Sequence, residues 1–240
     1  MKIIVTGDCH GRINWKDIFN KEKDCDKFIF IGDYFDTRTG GLSGDKQIEN
    51  AKEIFQLKKD NPDKVILLFG NHDFHYIKAM DEQYSGYQPE YSLEIGELIE
   101  DAIKNDYVQM CYLHGKYFFS HAGLTKTWVK NTIAPNNIDP EVDLTMVDVI
   151  NDFLKYKPSV FKFTVGEHMD MTGDDVTQSP IWVRPHSLLS DMIKDITCVV
   201  GHTPVRHISL KIPNLILTDC LGDTLEYLII NDGEPSIGRL

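Results

Sequence analysis

The sequence predicts an α/β protein in which two β-sheets pack together and helices cover their outer faces. In the first part of the chain, short β-branched runs alternate with helical patterns, whereas several strand patterns follow one another near the C-terminus. Alternating elements followed by consecutive strands are typical of two packed sheets with helices outside. The 240 residues can bury a substantial core, and the motifs described below span most of them, so we expect a single domain over residues 1–240.

The elements of the first half follow from apolar runs and helical spacing. Apolar, β-branched runs predict strands over residues 2–5, 28–31 and 65–69. Helical patterns cover residues 15–19, 45–59 and 92–104, with Ser92 as the expected N-cap of the last helix. The turn residues Asn61-Pro62-Asp63 end the second of these helices.

The second half predicts a hairpin, a helix and a late group of strands. Residues 107–113 and 116–120, joined at His114-Gly115, predict the hairpin, and residues 143–156 predict the helix. Residues 126–130 are expected to begin an exposed helix. Residues 158–180 show little periodicity and are expected to form a loop or cap near the site. The late strands are expected at residues 197–200, 207–210, 215–218 and 225–230.

Five short motifs place strong ligand types at glycine-flanked turns. Each follows an apolar run, so five strands are expected to end where a glycine allows a tight turn and a carboxylate, amide or imidazole projects outward. Open α/β sheets bind ligands beyond the carboxyl ends of their strands, so the motifs predict one active site. The motifs are Gly7-Asp8-Cys9-His10-Gly11, Gly32-Asp33-Tyr34-Phe35-Asp36, Gly70-Asn71-His72-Asp73, Ser120-His121-Ala122-Gly123 and Gly201-His202-Thr203-Pro204.

These residue types are typical of a site for two metal ions. Carboxylates suit hard cations, while imidazole favours zinc, iron or manganese, and the mixed set leaves these three metals open. Asp8 and His10 can point into one site, and Asp33 can offer one oxygen to each of two divalent or trivalent ions. Such a pair can hold a hydroxide that attacks at neutral pH and can clamp the oxygens of a phosphoryl group. Neutral ligands for the second ion are expected from Asn71, His121 and His202.

Residues close to these ligands are expected to have catalytic and substrate-binding roles. His72 follows Asn71 directly and should point to a different side of the metal pair, so we expect it to protonate the leaving-group oxygen. Asp36 would hold the His72 ring in the productive tautomer. Arg184 is the better candidate for binding phosphate oxygens, because a guanidinium can bind them bidentately, and Arg38 is the weaker one.

Charge and composition limit the other classes of function. A formal net charge of −12 argues against general nucleic-acid binding. No apolar stretch reaches the roughly 18 residues that span a bilayer. The five scattered cysteines include no Cys-x-x-Cys pair, which argues against a disulfide framework. The N-terminus enters a strand at once, so no signal peptide is expected, and a cytoplasmic location without a membrane partner is predicted.

With these five motifs the chain resembles the calcineurin-like metallophosphoesterase superfamily. It is most similar to the branch that holds phosphoprotein Ser/Thr phosphatases, their small bacterial and phage relatives, and symmetrical dinucleoside tetraphosphate hydrolases. The resemblance covers about residues 1–219 and implies a four-layer α/β/β/α sandwich of two mixed sheets, with a dimetal site at the C-terminal ends of the strands. It places Asp8, His10 and Asp33 at one ion, and Asp33, Asn71, His121 and His202 at the other.

Two positions depart from patterns common in the superfamily. The phosphatases usually carry Arg directly after the second Asp of Gly-Asp-x-x-Asp, whereas this chain has Thr37 there and Arg38 next. Many other members have a second His two residues after the last motif's His, whereas Pro204 stands there, as it does in the phosphatase branch. A further ligand to the first ion is therefore not expected at that position.

The residues predict a phosphoester hydrolase that works by direct attack of a metal-bridging hydroxide, without a covalent phosphoenzyme. The resemblance implies a phosphorylated substrate, either a phosphoprotein or a small phosphomonoester. Symmetrical cleavage of a dinucleoside polyphosphate is an alternative, and a non-catalytic scaffold of the same fold is another. The scaffold is disfavoured because His72, Asp36 and all six expected ligands are present.

The remaining polar residues are interpreted as structural. Tyr34 and Phe35 are expected to pack in the core, and Asp219 and Asp223 to lie in turns. The acidic stretch at residues 167–175 is expected to be a mobile solvated loop, with a lid or a third cation site as the alternative. Solvent-facing or structural roles are expected for His75, His114, His168, His186 and His207.

Overall fold

The computed structural model describes residues 1–37, 41–134, 140–164 and 171–240. Its strands, in chain order, are β1 (Lys2–Thr6), β2 (Lys27–Phe30), β3 (Val65–Leu68), β4 (Val108–Gln109), β5 (Cys111–His114), β6 (Tyr117–Ser120), β7 (Thr197–Val200), β8 (Leu215–Leu217), β9 (Glu226–Asn231) and β10 (Glu234–Arg239). Its α-helices are α1 (Trp15–Lys21), α2 (Gly44–Asp60), α3 (Asn71–Phe74), α4 (Ser92–Lys104), α5 (Lys126–Thr132), α6 (Leu144–Tyr156) and α7 (Pro185–Ser190).

The strands form two mixed sheets, which confirms the predicted α/β fold. The first sheet has the order β10-β9-β1-β2-β3-β4, and the second has the order β5-β6-β7-β8. The pairs β1–β2, β2–β3 and β3–β4 are parallel, as are β6–β7 and β7–β8. The carboxyl ends of β1, β2 and β3 in the first sheet, and of β6 and β7 in the second, are therefore available to one site.

Alternation along the strands separates two apolar clusters. Ile3 and Val5 of β1 belong to a cluster that joins the two sheets, together with Phe119 of β6 and Val199 of β7. Ile4, between the first two, belongs instead to the larger cluster that contains the helices. Because successive side chains point to opposite faces of a strand, one face of each sheet meets the other sheet and one meets helices.

The predicted hairpin differs from the structure at Met110. The amides of Met110 and Cys111 both donate to Asn151 Oδ1 of α6, at 2.9 and 3.0 Å. These bonds replace strand pairing at this point, so the run divides: β4 pairs with β3 in the first sheet, and β5 pairs with β6 in the second. The chain therefore passes from one sheet to the other within the stretch that the sequence indicates as one strand.

The predicted strand at residues 207–210 is wrong. The Ile208 amide donates to Glu226 Oε2 at 2.9 Å, and His207 Nδ1 lies 2.9 Å from Glu226 Oε1. A side chain of β9 thus takes the amide that a sheet partner would need, and the segment stays irregular. Strand β10 was not predicted, and its Pro235 is tolerated because β10 is an edge strand.

Two smaller differences concern helices. Ser92 is the first residue of α4 rather than its N-cap, and its hydroxyl donates to the Pro89 carbonyl oxygen at 2.8 Å. The acidic stretch is solvated only in part, because Asp174 and Asp175 are buried. Asp174 accepts from the Arg184 and Ser187 amides at 2.8 and 2.9 Å, so the stretch caps the first turn of α7.

Within the described ranges, no helix combines the length and apolarity needed to cross a membrane.

Candidate metal centre and active site

The six expected metal ligands lie together where five strands end. Asp8 and His10 follow β1, Asp33 follows β2 and Asn71 follows β3, all in the first sheet. His121 and His202 follow β6 and β7 of the second sheet. All six side chains are buried, with at most 3% of the residue exposed. The site therefore lies at the shared edge of both sheets, and neither sheet alone could supply the set.

Asp33 occupies the centre of this group. Its Oδ2 lies 3.7 Å from His10 Nε2 and 3.5 Å from His121 Nε2. His10 Nε2 is also 3.9 Å from Asp8 Oδ2. Asp8, His10 and Asp33 can each offer a ligand atom within 4.8 Å of the others, which is close enough to hold one metal ion.

Asn71 brings the other two histidines together. Its Oδ1 lies 2.9 Å from His121 Nε2 and 2.9 Å from His202 Nδ1. His121 also lies close to Asp33. Asn71, His121 and His202 therefore share the Asp33 carboxylate with Asp8 and His10. The arrangement can therefore hold two neighbouring cations with one bridging carboxylate.

Backbone carbonyls fix the proton on the outer nitrogen of each histidine that is expected to bind metal. His10 Nδ1 lies 3.0 Å from Phe35 O, and His121 Nδ1 lies 3.0 Å from Ile31 O. His202 Nε2 lies 3.1 Å from Trp182 O. Because a carbonyl oxygen can only accept, each of these nitrogens donates, and in the neutral ring the inward nitrogen is left with a lone pair.

The protonation states also fit metal binding. Burial lowers the pKa of His121 below its ordinary value, against the opposing effect of Asp33, so its ring is kept neutral. Asp33 Oδ2 is buried and accepts no hydrogen bond within the described part of the chain. A buried acceptor of this kind costs free energy unless something positive contacts it. A cation among these lone pairs would satisfy it, so the residues present fit a metal centre.

Several site residues adopt an uncommon backbone conformation. His10, Asp33, Asp36 and His202 have φ values of 45°, 53°, 60° and 60°. Left-handed conformations in residues other than glycine cost on the order of 1–3 kcal/mol and concentrate at functional sites. After three strands, β1, β2 and β7, the tight turn is therefore made by residues of the site themselves.

Two glycines allow the carboxylates to approach the backbone closely. A Cβ atom at Gly70 would collide with Asp33 Oδ1, and a Cβ atom at Gly201 would collide with Asp8 Oδ1. Because neither glycine has a Cβ atom, both carboxylates can reach backbone amides. The His72 amide donates to Asp33 Oδ1 at 2.9 Å, and the His202 amide donates to Asp8 Oδ2 at 3.0 Å. These bonds orient both carboxylates, which explains why glycine precedes both Asn71 and His202.

Asp73 fixes the turns around Asp33. Its carboxylate accepts the amides of Gly70 and Asp33 on Oδ2, both at 2.9 Å, and the amide of Tyr34 on Oδ1 at 2.8 Å. The last residue of the third motif thereby holds the turn of the second motif in place. Tyr34 and Phe35 are fully buried, which matches their expected packing role.

His72 and Asp36 form a pair beside the metal ligands. His72 Nδ1 lies 3.1 Å from Asp36 Oδ2. Burial raises the pKa of Asp36, but hydrogen bonds from His72, His75 and Tyr76 outweigh burial and hold it below its usual range. Asp36 is therefore a carboxylate that accepts from His72 Nδ1 and fixes the orientation of the His72 ring.

Asp36 is shared by more groups than the sequence indicates. His75 Nε2 and the Tyr76 hydroxyl each lie 2.6 Å from its oxygens, and Gln88 Nε2 lies at 2.9 Å. The Tyr84 amide donates to His75 Nδ1 at 3.3 Å, so the His75 proton is on Nε2, facing Asp36. His75 is structural, as expected, but it supports the carboxylate that orients His72.

A cleft of about 550 Å³ opens over this pair. Arg184 is the cation that lines it in the described part of the chain, and its Nη1 is 3.5 Å from Thr203 Oγ1. Arg38 lies outside the described residues, as do residues 167–170 of the acidic stretch, His168 among them. The other lining residues are Asp36, Thr37, Asn71, His72, Tyr84, Ser85, Gly86, Trp182, His202 and Pro204.

Asp219, which was expected to be a turn residue, lies next to this site. It follows β8, is buried, and lines a second cavity of about 310 Å³ together with His10, Arg12 and Arg206. Its position at a strand end was the one available signal, because no glycine-flanked motif surrounds it.

Comparison with known proteins identifies the family. Residues 1–208 match the model for the calcineurin-like phosphoesterase family, so the chain belongs to this family and is a hydrolase. No curated protein sequence matches the chain significantly.

Two solved structures of phosphatases share the fold. One is described as a cold-active protein tyrosine phosphatase, with a TM-score of 0.60 and 17% identity over 98% of this chain and 78% of that chain. The other is a protein serine/threonine phosphatase from Saccharomyces cerevisiae, with a TM-score of 0.57 and 17% identity over 99% of this chain and 79% of that chain. At this level of identity, the likeness shows a common fold alone.

Proposed function

We propose that the chain hydrolyses phosphomonoesters at a centre of two metal ions, with manganese, iron or zinc as the candidates. The observation that carries this proposal is the cluster of six buried expected ligands with Asp33 at its centre, next to the His72–Asp36 pair in an open cleft. Asp8, His10 and Asp33 would hold one ion. Asp33, Asn71, His121 and His202 would hold the other.

The side chains around the cleft have separate roles in the proposed reaction. When bound, the two ions supply positive charge for the phosphoryl oxygens and lower the pKa of water. Arg184 adds a fixed positive charge at the cleft wall for the non-bridging oxygens. His72 donates the proton that the leaving oxygen needs when the P–O bond breaks, and Asp36 keeps Nδ1–H bound so that Nε2 makes the transfer.

Replacing His72 with Asn tests the proton-donor role. We expect His72→Asn to lower kcat for an ester with a poor leaving group by about 10²–10⁴-fold, the range for a lost general acid. Bound metal, measured by elemental analysis after loading with manganese, should equal that of the parent. The matched control is His186→Asn, because His186 is exposed on α7 and does not line the cleft. Parental turnover in His72→Asn would refute the assignment.

Cleavage of a dinucleoside polyphosphate is the second candidate, and one observation favours it. The cavity beside His10 contains Arg12 and Arg206, which could bind further phosphates, although Asp219 and Asp223 line it too and offset their charge. Incubating the manganese-loaded protein with diadenosine tetraphosphate separates the two activities. Release of ADP supports symmetrical cleavage, and release of inorganic phosphate from a phosphopeptide supports the phosphomonoesterase.

A further inference from the structure

The cleft next to His72 has an aromatic side, which we call the aromatic wall and define as Tyr84 and Trp182. The two rings make an edge-to-face contact with centroids 4.6 Å apart, and both residues line the cleft. Each is half-buried, so part of its surface faces the open volume.

The polar atoms of the aromatic wall are already bonded elsewhere. The Tyr84 hydroxyl accepts from the Phe163 amide at 3.2 Å, and Trp182 Nε1 donates to Phe161 O at 3.0 Å. Phe163 also packs edge-to-face against Trp182 with centroids 5.2 Å apart. These contacts fix both rings in orientation. The aromatic wall therefore contacts the cleft through its ring carbon atoms rather than through a hydrogen-bonding group.

The aromatic wall lines the same cleft as His72, the proposed proton donor. Tyr84 stacks on His75, with centroids 6.0 Å apart, and Gly86 lies against His72, where a Cβ atom would be 3.3 Å from Cε1. On the other side, the Trp182 carbonyl oxygen binds His202, and the Trp182 ring lies 6.1 Å from the His202 ring. The wall thus extends from His75, which shares Asp36 with His72, to the expected metal ligand His202.

We infer that the aromatic wall selects phosphomonoesters in which an aromatic ring is bonded directly to the scissile oxygen. This inference rests on the proposed function. Hydrolysis of such an ester transfers the phosphoryl group to water and releases a phenol, whose oxygen takes the proton from His72. The ring is then within reach of Tyr84 and Trp182, and the cleft volume is in the range of small-molecule sites. A seryl methylene at the same place would leave the ring carbons of the wall without a partner.

Paired phosphopeptides test this selection. The substrates are two peptides of identical flanking sequence, one with phosphotyrosine and one with phosphoserine, and the variants are Tyr84→Leu and Trp182→Leu. Aromatic pair contacts correspond to about a three- to tenfold effect on a rate. We expect each variant to lower kcat/KM for the phosphotyrosyl peptide by that factor, and to leave the value for the phosphoseryl peptide within about twofold.

The controls separate the inference from the proposed function. Tyr156→Leu, an exposed position outside the cleft, should change neither substrate. Equal losses on both peptides in both leucine variants, or parental selectivity in both, would overturn the inference while leaving a phosphomonoesterase in place. No phosphate release from any monoester by the manganese-loaded parent would instead overturn the proposed function.

Two further substrates identify the source of the ring. Faster turnover of the phosphotyrosyl peptide than of phenyl phosphate would assign the ring to a tyrosyl side chain, and the reverse order would assign it to a small phenol. Both orders support the inference. Preference for adenosine 5′-monophosphate over both would count against it, because its ring is not bonded to the scissile oxygen.

Discussion

Gly86 lies against His72, the proposed proton donor, and has a backbone angle that favours glycine. Its φ is +92°, and a Cβ atom there would lie 3.1 Å from Asp36 Cβ and 3.3 Å from two atoms of the His72 ring. Contacts of 3.0–3.4 Å require the neighbour to move. We therefore expect Gly86→Ala to displace the His72 ring and lower kcat for a phosphomonoester by about tenfold or more, the order of a misplaced catalytic group.

A second glycine provides the matched control for this substitution. Gly233 has φ +86°, but no atom lies within 4 Å of a Cβ atom built there. Gly233→Ala thus adds the same backbone strain, on the order of 1–2 kcal/mol, without contacting the site. Both variants should lose similar thermal stability, and only Gly86→Ala should lose turnover. Equal turnover in the two variants would show that Gly86 does not position His72.

At the residue scale, the sequence predicts which side chains belong to the site better than it predicts which of them contact one another. The side chains at the strand ends were predictable because a glycine-flanked carboxylate, amide or imidazole after an apolar run is a local pattern. The sharing of Asp36 by His72, His75, Tyr76 and Gln88 was not, because the last of these is 52 residues away and no periodic pattern joins it to Asp36. Such contacts depend on how the loops close over the site.

At the scale of elements, one carboxylate organises the C-terminal part of the first sheet. Glu226 of β9 binds His207 Nδ1 and the Ile208 amide, and its Oε1 lies 2.8 Å from Arg239 Nη2 of β10. Glu226 is 7% exposed. It therefore joins an irregular segment, its own strand and an edge strand, all through one charged group.

The pH dependence of stability should report this carboxylate. Burial raises the pKa of Glu226, but the His207 hydrogen bond and the Ile208 amide outweigh burial and place the folded-state pKa below the ordinary value. A lowered pKa means that the contribution is complete above the unfolded-state value, near pH 4.3, and is lost as pH falls through the folded-state pKa.

Thermal unfolding of Glu226→Gln measures that contribution. We expect its Tm to lie below that of the parent at pH 6 and the gap to narrow as the pH falls through the folded-state pKa, because the parental carboxylate then becomes neutral as well. Glu234→Gln is the control, since Glu234 is exposed on the edge strand β10. A gap that stays constant over this range would show that the charge of Glu226 is not what stabilises the contacts.

Element boundaries were predictable where local patterns decide them and not where a distant side chain does. The helices α2, α4 and α6 lie within a residue or two of their expected bounds because their apolar faces and caps are local. The break at Met110 and the missing strand at residues 207–210 both arise from a side chain, Asn151 or Glu226, that takes backbone amides. Residues 158–180 are irregular apart from a short 3₁₀ turn at Pro158–Phe161, within the described part.

At the scale of the whole molecule, the expected metal ligands connect the two sheets. Asp8, Asp33 and Asn71 follow strands of the first sheet, whereas His121 and His202 follow strands of the second. The two-sheet architecture could be predicted because alternating and consecutive strand patterns differ along the chain. That the site would draw on both sheets followed from the motifs, whereas the distances between their side chains required the fold. The single-domain interpretation stays a prediction.

Because the ligands come from both sheets, metal binding should stabilise the entire fold rather than one loop. A ligand that binds only the folded state adds about 2.7 kcal/mol at a concentration of 100 times its Kd. We expect manganese to raise the Tm of the chelator-treated protein, and EDTA to reverse the increase. Asp33→Asn should abolish most of this response because it weakens the bridging ligand, whereas Asp63→Asn, exposed and outside the site, should retain it. Equal Tm values with manganese and with EDTA would show that these side chains hold no metal, and the catalytic proposal would fail with them.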